Sequence, residues 1–249
     1  MFRMQLSRIY ELRDLIRDPT SSGAFFQNFD TYAQDSLHAR QQYERWEKDL
    51  QGLDADSWEA LKREASPYLM HKDRNGRGWQ QLFDILNQAH AYNYLKTIGC
   101  SNVCLFPRAT QGSTRTPDLE GFLDASRVLC EVKTINISQK EVRARKEGTA
   151  KNITNKLDDG LLRKLHSDIT GARDQLHAYA ATGGARYYVY IVLCFDDWLG
   201  EYKEEYFRQI DQYLLDCSIP GIDRLVFRND HTPFHKALVM RNATVHNAS

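Results

Sequence analysis

Glu131 and Lys133 stand two residues apart in Arg127-Val128-Leu129-Cys130-Glu131-Val132-Lys133-Thr134, an otherwise largely apolar run. Successive side chains of an extended strand point to opposite faces. The carboxylate and the ammonium therefore share one face, while Cys130 and Val132 pack into the opposite layer. Two charges on one face of an interior strand are costly unless they pair or bind something. Residues 119–124 form a second expected strand, preceded by Asp118 and containing Glu120. If the two strands make a hairpin around Ala125-Ser126, position 118 falls opposite 133 and position 120 opposite 131. Asp118, Glu120, Glu131 and Lys133 then converge on one face.

Three carboxylates and one ammonium in a cleft suit divalent-metal chemistry on a phosphodiester. Oxygen ligands hold a hard cation such as Mg²⁺ or Mn²⁺, and Mg²⁺ binds few protein carboxylates and keeps several waters. Such an ion polarises a phosphoryl oxygen and lowers the pKa of a bound water. Lys133 can orient the attacking hydroxide or offset charge on the phosphorus. Acids alone would repel a phosphate; metal and lysine together reverse the sign.

The elements that must position these groups are read from periodicity. Residues 1–75 are expected to be an all-α accessory region. Phe2, Leu6, Ile9, Leu12 and Ile16 recur at helical steps. A polar helix with an aromatic stripe spans 24–50, and Asp56 with Glu59 looks like the capping box of a third helix. The glycine-bearing break at 72–78 precedes a second domain, residues 76–249. There the pattern gives a helix from Trp79 to Ile98 stopped by Gly99, and a short apolar run at 103–106. The strands at 119–124 and 127–135 follow, then a long helix over 158–181. The run Tyr187–Phe195 is continuously apolar and reads as a strand buried on both faces. A helix over 202–215 and edge strands at 224–227 and 237–240 complete an α/β class, a mixed central sheet flanked by helices.

Lys and Arg number 33, as do Asp and Glu, so the formal net charge is zero and bulk electrostatics draw no polyanion to the chain. Nucleic-acid binding must come from local clusters. One lies after the Glu131–Lys133 strand, with Lys140, Arg143, Arg145 and Lys146, then Lys151, Lys156, Arg163 and Lys164. A charged run of this kind is otherwise a solvated loop. The five cysteines have no paired metal-ligand spacing. The N-terminus has no uninterrupted apolar stretch, which argues against a signal peptide or membrane span and makes a reducing, cytoplasmic setting the expectation.

Pro117-Asp118, twelve intervening residues and Glu131-Val132-Lys133 resemble the motif of the PD-(D/E)XK nuclease superfamily, the restriction-endonuclease-like fold, over roughly residues 78–230. The resemblance implies Asp118 and Glu131 as metal ligands and Lys133 as the catalytic lysine. It implies Mg²⁺ or Mn²⁺ as cofactor and nucleic acid, DNA foremost, as partner, with a homodimer as one way such enzymes cut both strands. Members often carry a glutamate on the helix before the first strand. Here that helix offers Asn87, Gln88 and His90 instead, whose amides and imidazole can still position water. Gln175-Leu176-His177-Ala178-Tyr179 is similar to the Gln-x-x-x-Tyr element of the recombination-exonuclease branch, and on a helix Gln175 and Tyr179 share a face that could hold a substrate phosphate.

Two alternatives stand beside a metal-dependent nuclease. One is a binding module on the same fold that has lost catalysis. The other is an interaction protein in which Glu131 and Lys133 are a structural ion pair.

Overall fold

The computed structural model describes residues 5–21, 23–70, 79–106, 115–135, 155–180, 184–193, 202–229 and 238–239. The class is α/β, with an N-terminal helical region and a mixed sheet flanked by helices. The chain falls into two compact units, Met1–Thr110 with Asp118–Asp124, and Gln111–Pro117 with Ala125–Ser249. Residues 71–78, where the sequence suggested a domain boundary, lie outside the described residues.

The first unit opens with helix α1 (Ser7–Asp14), which buries Ile9, Tyr10 and Leu12. Its free N-terminal amides are satisfied by a buried carboxylate from another helix. Glu47, 3% exposed, accepts from the Arg8 and Ile9 backbone amides at 3.0 Å each and from the Ser7 hydroxyl at 3.1 Å. Negative charge at a helix N-terminus also complements its dipole. The expected helix over 24–50 is two helices, α2 (Phe29–Asp35) and α3 (Leu37–Gln51), because the Ser36 side chain accepts from the Ala39 amide and starts a new one. Phe25, Phe26, Phe29, Tyr43, Trp46, Trp79 and Phe83 form a chain of mostly edge-to-face rings that fills this part of the core.

Helix α4 (Ala55–Ala65) is capped by Asp54, whose Oδ1 accepts from the Ser57 amide at 2.7 Å, so the cap lies two residues before the expected Asp56. The Tyr92 hydroxyl donates to Asp54 Oδ2 at 2.8 Å, a long-range contact that favours Asp54. Helices α5 (Gln80–Leu86) and α6 (Gln88–Thr97) replace the single helix expected over 79–98, with a tightened turn at Asn87. Gly99, at φ +93°, ends α6 in the left-handed region. Strands β1 (Ser101–Leu105) and β2 (Leu119–Leu123) pair antiparallel, Leu105 with Leu119 and Cys104 with Glu120.

The chain passes to the second unit through Asp124 and Ala125, both at positive φ (49° and 62°), the backbone of a type I′ turn. The turn is one residue earlier than expected, and Ser126 opens strand β3 (Ser126–Ile135). β3 lies parallel to β4 (Ala185–Leu193) with Glu131 beside Val189 and Lys133 beside Ile191. β4 is parallel to β5 (Arg224–Asn229), which pairs antiparallel with β6 (Leu238–Val239). Parallel neighbours need a crossover, and helices α7 (Asp159–Tyr179) and α8 (Lys203–Cys217) supply it. Residues 188–193 of β4 are all buried, as a central strand covered on both faces requires. α7 turns Leu165, Ile169, Ala172 and Leu176 inward and packs on β3 and β4. Among the described residues no helix is long and apolar enough to cross a membrane.

Candidate functional site

In the second unit, β3 carries a buried acid that is held from two sides. Glu131 is 4% exposed. Its Oε1 accepts from Lys133 Nζ at 2.7 Å and its Oε2 from Gln175 Nε2 at 2.9 Å. The Lys133 side chain is 28% exposed against 5% for that of Glu131, so the acid is enclosed while the ammonium reaches outward. A carboxylate this buried would cost several kcal/mol without its donors. The other Gln175 amide hydrogen goes to the Thr116 carbonyl, also at 2.9 Å. One side chain of α7 thus spans β3 and the segment leading to Asp118.

The first unit places Asp118 immediately before β2. Its backbone carbonyl accepts from the Phe106 amide at 3.0 Å, and its Oδ1 receives the Gln88 amide at a long 3.4 Å. His90 is two residues further along α6, about 200° around the helix. Its Nδ1 lies 2.8 Å from Asp49 Oδ2, so of the two candidates on this helix Gln88 faces Asp118 and His90 faces α3. Glu120 stands opposite Cys104. Burial, with the charges of Glu120 and Asp54 nearby, pushes the Cys104 thiol up.

Among the described residues no three His, Cys, Asp or Glu side chains gather as a metal site, so the expected three-carboxylate set including Glu120 is not seen there. The available donors suit Mg²⁺ or Mn²⁺ better than zinc. Mg²⁺ accepts one or two carboxylates and keeps its waters, whereas zinc in a structural site takes four protein ligands.

Lys164, Asp168, Gly171, Gln175 and Ala178 follow one another at helical steps of three and four, one row along α7. Lys164 is paired with Asp168 on the exposed part of that row. Gly171, Gln175 and Ala178, with Arg115, line a cavity of about 320 Å³. Tyr179, one turn beyond Gln175, lies with the Arg127 guanidinium 5.6 Å over its ring, near the start of β3. Arg143 and Arg145 lie outside the described residues.

Comparison of the chain with family models, curated proteins and solved structures gave no match. The chemistry rests on the side chains themselves. Sequence alone missed the Thr116 carbonyl, Arg115 and Gly171. Two signals bear on them: a residue before proline is held extended, as Thr116 is before Pro117, and a glycine inside a helix needs a reason.

Proposed function

We propose that this chain is a divalent-metal-dependent nuclease that hydrolyses phosphodiester bonds, in DNA, on a restriction-endonuclease-like core. Asp118 and Glu131 would hold the ion and Lys133 is the catalytic lysine. The observation that carries the proposal is the enclosed carboxylate of Glu131, held between an outward-reaching lysine and a helix amide. An enclosed acid with a cation beside it at the edge of solvent suits a site that receives something positive next to something negative.

Asp118 follows Thr116 by two residues. Covalent geometry alone therefore keeps those two α-carbons within about 7 Å, and the Thr116 carbonyl is bonded to the same Gln175 amide that holds Glu131. When bound, the ion would neutralise a phosphoryl oxygen and acidify water. The protein groups divide the remaining work. Lys133 donates to the phosphate as charge builds on its oxygens. Gln175 keeps the Glu131 carboxylate from turning, and Gln88 does the same for Asp118.

Incubation with linear, circular and single-stranded DNA, with and without Mg²⁺ or Mn²⁺, tests the proposal. Metal-dependent cleavage lost in Glu131→Gln and Lys133→Ala is the expected result. No cleavage of any substrate by the wild-type chain, or full cleavage by either variant, would remove it. A nucleic-acid-binding module without catalysis is favoured by one observation: among the described residues no three His, Cys, Asp or Glu side chains gather where they could hold an ion. It predicts DNA binding with no turnover under any metal.

A further inference from the structure

Gly171 lies in the interior of the 21-residue helix α7, one turn before Gln175. Glycine there is less favourable than alanine. A Cβ built on Gly171 would meet nothing within 4 Å among the described residues, so close packing against another element does not explain the missing side chain. The space belongs to the cavity of about 320 Å³ that Gly171 shares with Gln175, Ala178 and Arg115. Arg115 is exposed, and no acid among the described residues pairs with it.

Among the described residues the walls offer one guanidinium, one amide and a bare stretch of helix, and no aromatic ring lines them. Sequence-tolerant binding of bases relies on aromatic stacking. Phosphates are held by guanidinium and amide donors, which position a strand without reading it. We infer that this groove seats the sugar–phosphate backbone of the substrate strand, with a phosphate on Arg115 and the chain lying against Gly171. The four residues from Gly171 to Gln175 advance about 6 Å along the helix, so the backbone seated here adjoins the portion at Gln175 and Glu131. The groove contributes affinity and no sequence preference. The inference takes its substrate class from the nuclease proposal.

Two labelled single-stranded oligonucleotides of unrelated sequence serve as probes. Anisotropy measures their binding without metal, and gel assays measure their cleavage with Mn²⁺. Gly171→Ala should keep or raise the melting temperature by roughly 2–4 °C, since it removes a helix-interior glycine. It should weaken both oligonucleotides about tenfold, a loss of roughly 1.4 kcal/mol. Arg115→Ala, on an exposed side chain, should weaken both equally and reduce the salt slope of binding by about 0.7. Wild-type affinity in Gly171→Ala, a lowered melting temperature, an unchanged salt slope in Arg115→Ala, or loss for one sequence only would each overturn the groove. Mn²⁺-dependent cleavage persisting alongside any of these leaves the nuclease proposal standing. Groove-dependent binding by a chain that never cleaves would uphold the groove and overturn the nuclease. Binding of neither oligonucleotide by the wild-type chain overturns the groove, and the nuclease falls with it only if no DNA substrate is cleaved.

Discussion

The Gln175 amide nitrogen stands 2.9 Å from Glu131 Oε2, a helix side chain gripping an acid 44 residues away in the chain. Gln175 is a positioning residue: it fixes the carboxylate and leaves Lys133 the other oxygen. Gln175→Ala should reduce Mn²⁺ affinity and metal-dependent cleavage by about 10- to 100-fold while the fold persists. Gln175→Glu should do worse, because it sets one carboxylate against another. Mn²⁺ titration followed by melting temperature separates a loosened site from a lost fold.

Lys133→Ala removes the ammonium that donates to a buried carboxylate. The variant should lose stability by about 3 kcal/mol without metal, as a buried acid gives up its cationic partner. It should also regain more of its melting temperature on adding Mn²⁺ than the wild type gains. Equal shifts in both proteins would show that Glu131 does not meet the ion.

Asp54 and Tyr92 give opposite pH limbs. Burial works to raise the Asp54 carboxyl, but hydrogen bonds from the Ser57 amide, the Tyr92 hydroxyl and the Ser57 side chain, with the Lys96 charge, hold it below its ordinary 3.8. A lowered carboxyl stabilises the folded chain above that ordinary value, and the contribution is lost as pH falls through the folded pKa. Tyr92, by burial and then its bond to Asp54, is pushed from 10.0 up to about 12. The folded state keeps that proton longer, so its contribution is complete below pH 10 and disappears between about 10 and 12. Urea midpoints measured against pH should show both limbs, and Tyr92→Phe should flatten the alkaline one.

Glu47→Ala should cost about 2–4 kcal/mol, because it strips the Arg8 and Ile9 amides of their acceptor at the buried start of α1. Glu47→Gln keeps an acceptor oxygen and should recover part of this. Chemical denaturation of both variants gives the comparison.

Ala125 sits at φ 62°, where a Cβ crowds the backbone. Ala125→Gly should stabilise the protein by roughly 0.5–1 kcal/mol, the relief exceeding the greater freedom that glycine gives the unfolded chain. A lower melting temperature would mean that the methyl group matters more than the strain.

What the sequence disclosed followed the range of each cause. Strands β3 and β4 were legible because runs such as Tyr188–Val192 are β-branched or aromatic throughout, a local property. The shared face of Glu131 and Lys133 followed from strand alternation alone. The split at Ser36 was not legible, since helical periodicity continues through a cap that only its hydrogen bond reveals. Asp54 was passed over for Asp56 because Tyr92, 38 residues away, supplies the extra bond. Gln88 and His90 could be separated only once α6 had a partner on each side. Gln175 was placed on a helix by spacing, but its grip on Glu131 depends on how α7 lies against β3.

The second unit does not begin where β3 begins. It also owns Gln111–Pro117, a strip of chain enclosed on both sides by stretches of the first. No single cut can therefore release it whole. A fragment starting at Ala125 would carry Glu131, Lys133 and Gln175 but neither Thr116 nor Arg115, so the amide would have one anchor where the intact chain gives it two.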